Sequence, residues 1–548
     1  MIGCITARFF NVIFKINIYK FNRFCYKQGM NLDLSKLPDD AAALKELVGS
    51  CQNKINLLEE RIRLLQNELF GRKSEKQKAP ETDPMQLCLF DEPALPEPEK
   101  TGAITIPEHT RKKSGRKPLP ADLPRMDVIH DINESEKVCA CGCPLSRIGQ
   151  ETSEKLDIIP AKMQVIRHIR YKYACKNCEG VEGNGPTVKI APLPVQFIPK
   201  GIATPGLVAQ VLVSKYEDAL PFYRQEKIFA RLGVEVPRSS MCGWAIKAAE
   251  QCQPVMERLH RKILSGPLVN IDETPVQVMQ EPGRSNTSKS YMWVFRGGPP
   301  DKPVLIYQYH PTRSGQVPGE FLKDYQGYIQ TDGYNGYDAL GRRPGIDHVG
   351  CWAHARRKFV EVVKAGSGSG KKGHAGTAIE YIRQLYAIEK SARKEQLTPD
   401  QIVKLRHVQS KPVLDAFKVW LNAVSGQTPP KGLLGKAVKY TLKNWPLLVR
   451  YLEQGYIPPD NNAAENAIRP FVVGRKNWLF WGHPNGASAG SCLYSLIETA
   501  KACGLKPYDY MRYLFDNIPF AETETDYEKL LPQNLTQEKI EAYTFRCA

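Results

Sequence analysis

The sequence predicts a mixed α/β protein of several domains, with one central sheet and helical segments before, within and after it. Three observations carry that expectation. The run Leu268-Val-Asn-Ile-Asp-Glu-Thr-Pro-Val-Gln-Val278 leaves the turn Ser265-Gly-Pro267 and reads as a buried, β-branched strand with Asp272 near its centre. Further strand-like runs follow it, first as a meander and then alternating with helical stretches. The length of 548 residues exceeds what one hydrophobic core serves.

Composition narrows the class of partner. The 76 basic residues outnumber 58 acidic ones, giving a net charge of +18 and a pI near 9.1, which favours a polyanion and nucleic acid first. Fifteen cysteines form no disulfide-like ladder, and most sit alone in apolar runs, as expected in a reducing compartment with one cluster kept for metal. The apolar stretch Arg8 to Lys15 is broken well short of the ~20 residues of a membrane span and lacks a small-residue cleavage site. Residues 1–29 are therefore expected to be a dispensable leader before Met30. The expected location is cytoplasmic, with the nucleoid, and no membrane is involved.

From the N-terminus onward, residues 30–75 carry an apolar seam at alternating spacings of four and three: Leu44, Val48, Cys51, Ile55, Leu58, Ile62, Leu65, Leu69. That heptad pattern predicts a parallel two-stranded coiled coil and hence a homodimer, or a higher assembly on DNA; an amphipathic helix packed on its own domain is the plainer reading. Residues 76–130 form a basic, Pro-rich linker. Within it the Gly115-Arg-Lys-Pro run offers Arg116 and Lys117 as an arm for a minor groove, unless it is only a solvated linker.

Residues 131–200 hold Cys139-Ala-Cys-Gly-Cys143 and Cys175-Lys-Asn-Cys178, two knuckles able to close a tetrahedral Cys₄ site for structural Zn²⁺. Cys139, Cys141, Cys175 and Cys178 are the chosen ligands, with Gly142 giving the turn after the second, and a strand over Val165–Tyr173 is expected to feed the second knuckle. Residues 201–262 read as three helices, opening at Thr204, Leu220 and Arg238, in an order like a helix-turn-helix or any three-helix packing module.

The first part of the core spans 263–365. After the Asp272 strand, Tyr291–Arg296 and Pro303–Tyr309 complete a meander. Gly319–Tyr325 reads as a short helix, Tyr328–Asp332 as a fourth strand and His348–Trp352 as a fifth, running into the basic helix Ala353–Val360 with Arg356, Arg357 and Lys358. Three strands, a helix, then strands with helices is the order of a ribonuclease-H-like core, which sets Asp272 and Asp332 on neighbouring strands. Residues 366–456 follow as an α-helical insertion behind a Gly/Ser linker. The second part of the core, 457–520, holds Glu465 in the first turns of a helix capped by Asn461 or Asn462. It also holds Arg475 and Lys476 in a cation-and-aromatic stretch that suits DNA or, as a Trp/Phe-rich strand, the core. Gly490–Leu505 reads as a last helix, and 521–548 as a tail.

A carboxylate inside an apolar strand costs several kcal/mol unless a donor, cation or metal compensates it. Asp272, Asp332 and Glu465 are accordingly expected to converge on divalent metal, for which oxygen ligands are the fitting choice.

These residues resemble the transposases of the insertion-sequence-sixty-six family from about Met30 to Phe520. The resemblance rests on the leucine-seam helix ending in Phe70-Gly-Arg-Lys-Ser74, the Gly115-Arg-Lys-Pro-Leu-Pro120 arm, the cysteine pairs, Asp272-Glu-Thr, Gln330-Thr-Asp-Gly-Tyr334, Cys351-Trp-Ala-His-Ala-Arg-Arg357 and Asp460-Asn-Asn-Ala-Ala-Glu465. Asn466 stands where the family pattern has Arg. The resemblance implies a DDE transposase with Asp272, Asp332 and Glu465 as its triad. Such an enzyme uses two Mg²⁺ (or Mn²⁺) per site to cut double-stranded DNA at element ends and to join the freed 3′-hydroxyl to target DNA, with accessory proteins of the same element as further partners. The competing expectations are a catalytically inactive DNA-binding regulator and a nuclease of the same fold without strand transfer.

Overall fold

The computed structural model describes residues 162–174, 188–365 and 373–543, together with single positions at 58, 62 and 127. Of the heptad seam only Leu58 and Ile62 are described, both helical and Ile62 exposed; the rest of the seam, the arm with Arg116 and Lys117, and the ligands Cys139, Cys141, Cys175 and Cys178 lie outside the described residues. The chain divides into two compact units, residues 91–191 and the remainder. In the first, β1 (Lys172–Ala174) pairs antiparallel with β2 (Val188–Ile190). The strand expected over Val165–Tyr173 is thus confined to its last residues. Among the described residues only these find a ladder partner, while Val165, Ile169 and Tyr171 stand exposed.

In the second unit, the described residues from Pro192 onward form four helices first: α1 (Pro205–Tyr216), α2 (Phe222–Arg231), α3 (Arg238–Gln251) and α4 (Gln253–Leu264). Thr204 caps α1 by accepting from the Leu207 amide at 3.2 Å, ahead of Pro205 at the first helical position. Five strands follow: β3 (Leu268–Gln277), β4 (Lys289–Gly297), β5 (Val304–His310), β6 (Gly327–Gln330) and β7 (Ile346–Val349). Their order across the sheet is β5-β4-β3-β6-β7. The β3, β4 and β5 pairings are antiparallel, and β6 runs parallel to both β3 and β7.

Between β5 and β6 lies α5 (Gln316–Phe321), earlier than the helix expected over 319–325 because the chain already turns helical ahead of Pro318. The fifth strand also ends early. Gly350 turns its amide to Leu447 O at 3.0 Å, and Trp352 opens α6 (Trp352–Ala365) instead of closing the strand.

The described part of the insertion is made of helices joined by short turns. It comprises α7 (His374–Lys394), α8 (Pro399–Leu405), a single π turn at Arg406–Ser410, α9 (Lys411–Ser425), α10 (Leu433–Lys443) and α11 (Trp445–Leu448). These helices and α6 share a core in which Trp352, Phe417 and Trp445 meet ring to ring. Arg406 is buried with Glu389 at 2.7 Å and also donates to the carbonyls of Gln454 (2.8 Å) and Ile457 (3.0 Å), so it ties the insertion to the chain returning from it.

That return leads into α12 (Asn462–Trp478), then α13 (Pro484–Ala502), α14 (Pro507–Asn517), α15 (Glu524–Lys529) and α16 (Gln537–Glu541). The helix expected at 490–505 begins instead at Pro484, where the His483 side chain accepts from the Asn485 amide, and it is not the last. α13 is buried along most of its length against β5. Ser495 and Thr499 accept from the Tyr307 and Leu305 amides at 2.8 and 3.0 Å, satisfying donors that an edge strand would otherwise leave open. α1 packs on α14, and α3 on α13. Between α12 and α13 only Trp481 joins the sheet, through Met279 N to Trp481 O (2.8 Å) and Trp481 N to Gln277 O (3.0 Å). The aromatic-strand reading of 474–484 therefore holds at one residue, the rest being the end of α12 and a turn.

Candidate functional site

The three acidic residues arrive on three different elements. Asp272 lies within β3, on the face shared with Asn270 and Thr274 by strand alternation. The register pairs Asn270 with Gln330, and two residues further along these parallel strands stand Asp272 and Asp332. Asp332 has just left β6, with its Oδ1 accepting from the Tyr334 amide at 2.9 Å. Glu465 occupies the first turn of α12, which packs on β3 and β4. The charges of Asp332 and Glu465 both act on Asp272, so the three lie near one another, while the donors that stand within 4.8 Å of one another among the described residues are those of Cys351, His354 and Glu465.

A buried set of amides holds that arrangement. Asn270 Nδ2 donates to Gln330 Oε1 at 2.9 Å and to Asn461 Oδ1 at 3.0 Å. Asn461 Nδ2 donates to Ile271 O at 2.8 Å, and Gln330 Nε2 to Pro458 O at 2.7 Å. Each of these three side chains is at most 1% exposed. The expectation that Asn461 or Asn462 caps the helix is corrected here. Asn461 stands at the cap position, but its side chain bonds to β3, and Asp460 Oδ1 accepts from the Asn462 amide at 3.1 Å. Sequence reasoning missed Asn270 and Gln330. Their signal was present: a polar residue inside an apolar strand, two positions before each aspartate.

Burial pushes the Asp272 carboxyl up to about 8, and the charges of Glu273, Glu465 and Asp332 push the same way against one hydrogen bond from the Glu273 amide. The protein alone thus leaves this carboxylate undercompensated, which a divalent cation relieves. Three carboxylates also form the hard, all-oxygen donor set that such a cation takes, so the residues present fit it. Glu273 is turned away from α12. It accepts from the Arg313 guanidinium and the Tyr337 hydroxyl, whose pull downward opposes the upward push of burial on its carboxyl.

Cations crowd the other side. Arg357 Nη2 lies 3.3 Å from Glu465 Oε2, and His354 Nδ1 lies 3.6 Å from Glu465 Oε1. Burial first, and then Arg357 and Lys358, lower the His354 pKa, against the raising effect of Glu465 and Asp332. Cys351 Sγ accepts from the Asn461 amide at 3.2 Å, and burial pushes its thiol up to about 12.

The other cations singled out in the sequence are placed as follows. Arg356 is half-buried on α6, and Lys358 Nζ sits 4.6 Å from the Tyr440 ring centroid. Arg475 donates to Thr274 Oγ1 at 3.2 Å and so braces α12 on β3, while Lys476 follows it in the last turn. His354 and Arg313 were missed as neighbours of the acids, because both contacts join residues far apart in the chain.

Fold and site together define a mixed α/β protein with one acid inside a central strand, one just past its parallel neighbour and one on a helix returning from a long helical insertion. Comparison with known proteins gives the family. A model described as Transposase IS66 family matches residues 200–489. Models described as zinc-finger binding domain of transposase IS66, Transposase C of IS166 homeodomain and IS66 C-terminal element match 136–179, 57–128 and 495–533. A protein of Sinorhizobium fredii (strain NBRC 101917 / NGR234) named Uncharacterized protein y4jD is 36% identical over 437 residues, covering 77% of this chain and 82% of its own. A second from the same strain, Uncharacterized protein y4qI, is 30% identical over 521 residues, covering 91% and 93%.

The chain belongs to the IS66 transposase family. With that membership come a transposase role, DNA binding and an insertion-sequence origin. A zinc-binding module and divalent metal use are implied too. Among the described residues no helix is long and apolar enough to cross a membrane.

Proposed function

We propose that this chain is a DDE transposase on a ribonuclease-H-like core, cutting DNA at insertion-sequence ends and joining the 3′-hydroxyl to target DNA, with Asp272, Asp332 and Glu465 as its catalytic carboxylates. The observation that supports this most is the convergence of these three acids, on two parallel strands and one returning helix, around an aspartate whose carboxyl is pushed up to about 8. The three would hold two Mg²⁺, which when bound supply an activated water or 3′-hydroxyl and stabilise the departing oxygen. Asn270, Gln330 and Asn461 fix where the carboxylates stand, and Arg313 with Tyr337 engages Glu273, whose charge also acts on Asp272. Arg357 neutralises Glu465 until DNA and metal compete for it.

Beyond the site, Cys139, Cys141, Cys175 and Cys178 hold zinc and the 44–69 seam pairs two chains. Arg116, Lys117, Arg356, Arg357, Lys358, Arg475 and Lys476 are the DNA contacts, of which Arg357 pairs with Glu465 and Arg475 with Thr274 in the chain without DNA. Phosphate contacts of this kind set affinity and orientation without reading sequence.

The test uses purified protein, Mg²⁺ and a labelled element end, scored for nicks and joined product. Asp272→Asn, Asp332→Asn and Glu465→Gln should each lower both by at least about 10²-fold, because each removes one charged ligand from a step dominated by charge stabilisation. End binding should survive in all three. Glu273→Gln and Asp460→Asn should keep substantial activity. Binding without any cut would make the chain a regulator, and nicks without joined product a nuclease. Loss in Asp460→Asn with cutting retained in Glu465→Gln would overturn the choice of third carboxylate.

A further inference from the structure

Beside the three carboxylates stands a nitrogen donor that the oxygen-only reading does not use. His354 lies in the first turn of α6, whose start is fixed from both sides: Trp352 N donates to Pro459 O at 3.0 Å and Trp352 Nε1 to Leu448 O at 2.8 Å. The imidazole is therefore delivered by a rigid turn, and its side chain is only 22% exposed. Its Nδ1 is buried and has no hydrogen-bond partner. The nearest acceptor is Glu465 Oε1 at 3.6 Å, too long for a hydrogen bond. Two donors each about 2.1 Å from one ion lie roughly 3–3.5 Å apart when they hold adjacent corners of its shell. The observed separation is nearly that of two ligands around an ion. The charges of Glu465 and Asp332 both act on the same ring, so the donor faces the acidic cluster and not bulk solvent.

We propose that His354 Nδ1 and Glu465 together hold one of the metal ions of this site, making it a mixed nitrogen–oxygen site that takes Mn²⁺ in preference to Mg²⁺. The inference rests on the reading of Asp272, Asp332 and Glu465 as metal-binding acids and adds a fourth ligand to it. Mg²⁺ keeps to oxygen and to water, whereas imidazole suits first-row transition ions. Cys351 is the third candidate donor, since its Sγ, a His354 nitrogen and a Glu465 oxygen all lie within 4.8 Å of one another. It is left out because it is buried and already accepts from the Asn461 amide. Arg357 is the counter-charge that an ion replaces: its guanidinium is 3.3 Å from Glu465 Oε2 and half-exposed, free to swing toward DNA once the carboxylate is occupied.

The experiment measures metal binding by the full-length chain in the absence of DNA, following free Mn²⁺ by electron paramagnetic resonance and Mg²⁺ by competition. Replacing His354 with Gln should weaken Mn²⁺ binding roughly 10- to 100-fold, the range seen when a supporting group at a metal site is lost. Mg²⁺ affinity should stay close to that of the unaltered chain. His354→Asp, which restores an oxygen donor, should bring Mg²⁺ binding up relative to Mn²⁺. In the unaltered chain, bound Mn²⁺ should show coupling to a histidine ¹⁴N that His354→Gln removes, a readout independent of any effect of the variant on folding. Unchanged Mn²⁺ affinity in His354→Gln, or no ¹⁴N coupling in the unaltered chain, overturns the assignment of His354. If that happens while Glu465→Gln and Asp332→Asn lose the ion, the carboxylate reading stands. Full Mn²⁺ binding in both of those variants overturns the carboxylate reading itself.

Discussion

Asn461 shows how one side chain can serve a site without touching the chemistry. Its position before a helix suggests a cap, and a cap is local. In the fold it reaches across to β3, accepting from Asn270 and donating to Ile271 O, so the start of α12 is indexed to the strand that carries Asp272. Replacing Asn461 with Ala should destabilise the protein by about 1–3 kcal/mol for each buried partner it loses, one N–H of Asn270 Nδ2, whose other stays on Gln330, and Ile271 O. Urea unfolding measures that. Activity should fall further than stability accounts for at saturating metal, since Glu465 loses its registration against Asp272. An Asn461→Ala variant that keeps the unaltered chain's unfolding midpoint would show that the amide set is not what holds α12.

At this same scale the acids were legible in the sequence and their supports were not. Asp272 and Asp332 announce themselves as carboxylates in or beside apolar runs, which is a local anomaly. Asn270 and Gln330 look like tolerated polar residues until their partners, 191 and 128 residues further on, are known. His354 and Arg357 read as part of a basic helix, and only the return of Glu465 from beyond the insertion gives them a different role.

Among the elements, the strands were the most legible because β-branched and aromatic runs bounded by Gly and Pro mark them directly. Boundaries failed where a tertiary partner decides them. Val165–Tyr171 has strand composition but no neighbouring strand among the described residues, and Cys351-Trp continues the apolar run of β7 yet turns away to form α6. The insertion was legible as helix, but not its anchor. Arg406 is 1% exposed, paired with Glu389 and bonded to the carbonyls that precede α12. Removing Arg406 alone, as Arg406→Met, strands a buried carboxylate and should cost about 3–5 kcal/mol. Replacing both partners, Arg406→Met with Glu389→Met, should recover much of that, because the loss in the single variant is mainly the unpaired charge. Chemical unfolding of the two variants beside the unaltered chain makes the comparison, and equal losses in the single and double variants would show that the bonds of Arg406 to the carbonyls, not the stranded charge, carry the loss.

For the whole molecule, the net charge of +18 and the family's zinc module describe a protein made to stay on DNA. Zinc should accompany the purified full-length chain at about one per chain and resist dialysis, as a closed thiolate site does. Metal analysis of two variants separates the ligands: Cys175→Ser should lose the zinc, and Cys143→Ser should keep it. Full zinc in Cys175→Ser would send the ligand choice back among the five cysteines of the 136–179 match.

The insertion also has a consequence in time. Asp332 and Glu465 are separated by 133 residues (465 − 332), and the chain is synthesised from the N-terminus at about 5–20 residues per second. The sheet that bears the first two carboxylates is therefore out of the ribosome roughly 7 to 27 seconds before the third can join it. If three acids are needed to hold the metal, a nascent chain already able to meet DNA through its basic N-terminal half cannot cut it. On the proposed triad the chain is harmless for as long as it is unfinished, and so is any copy truncated within the insertion.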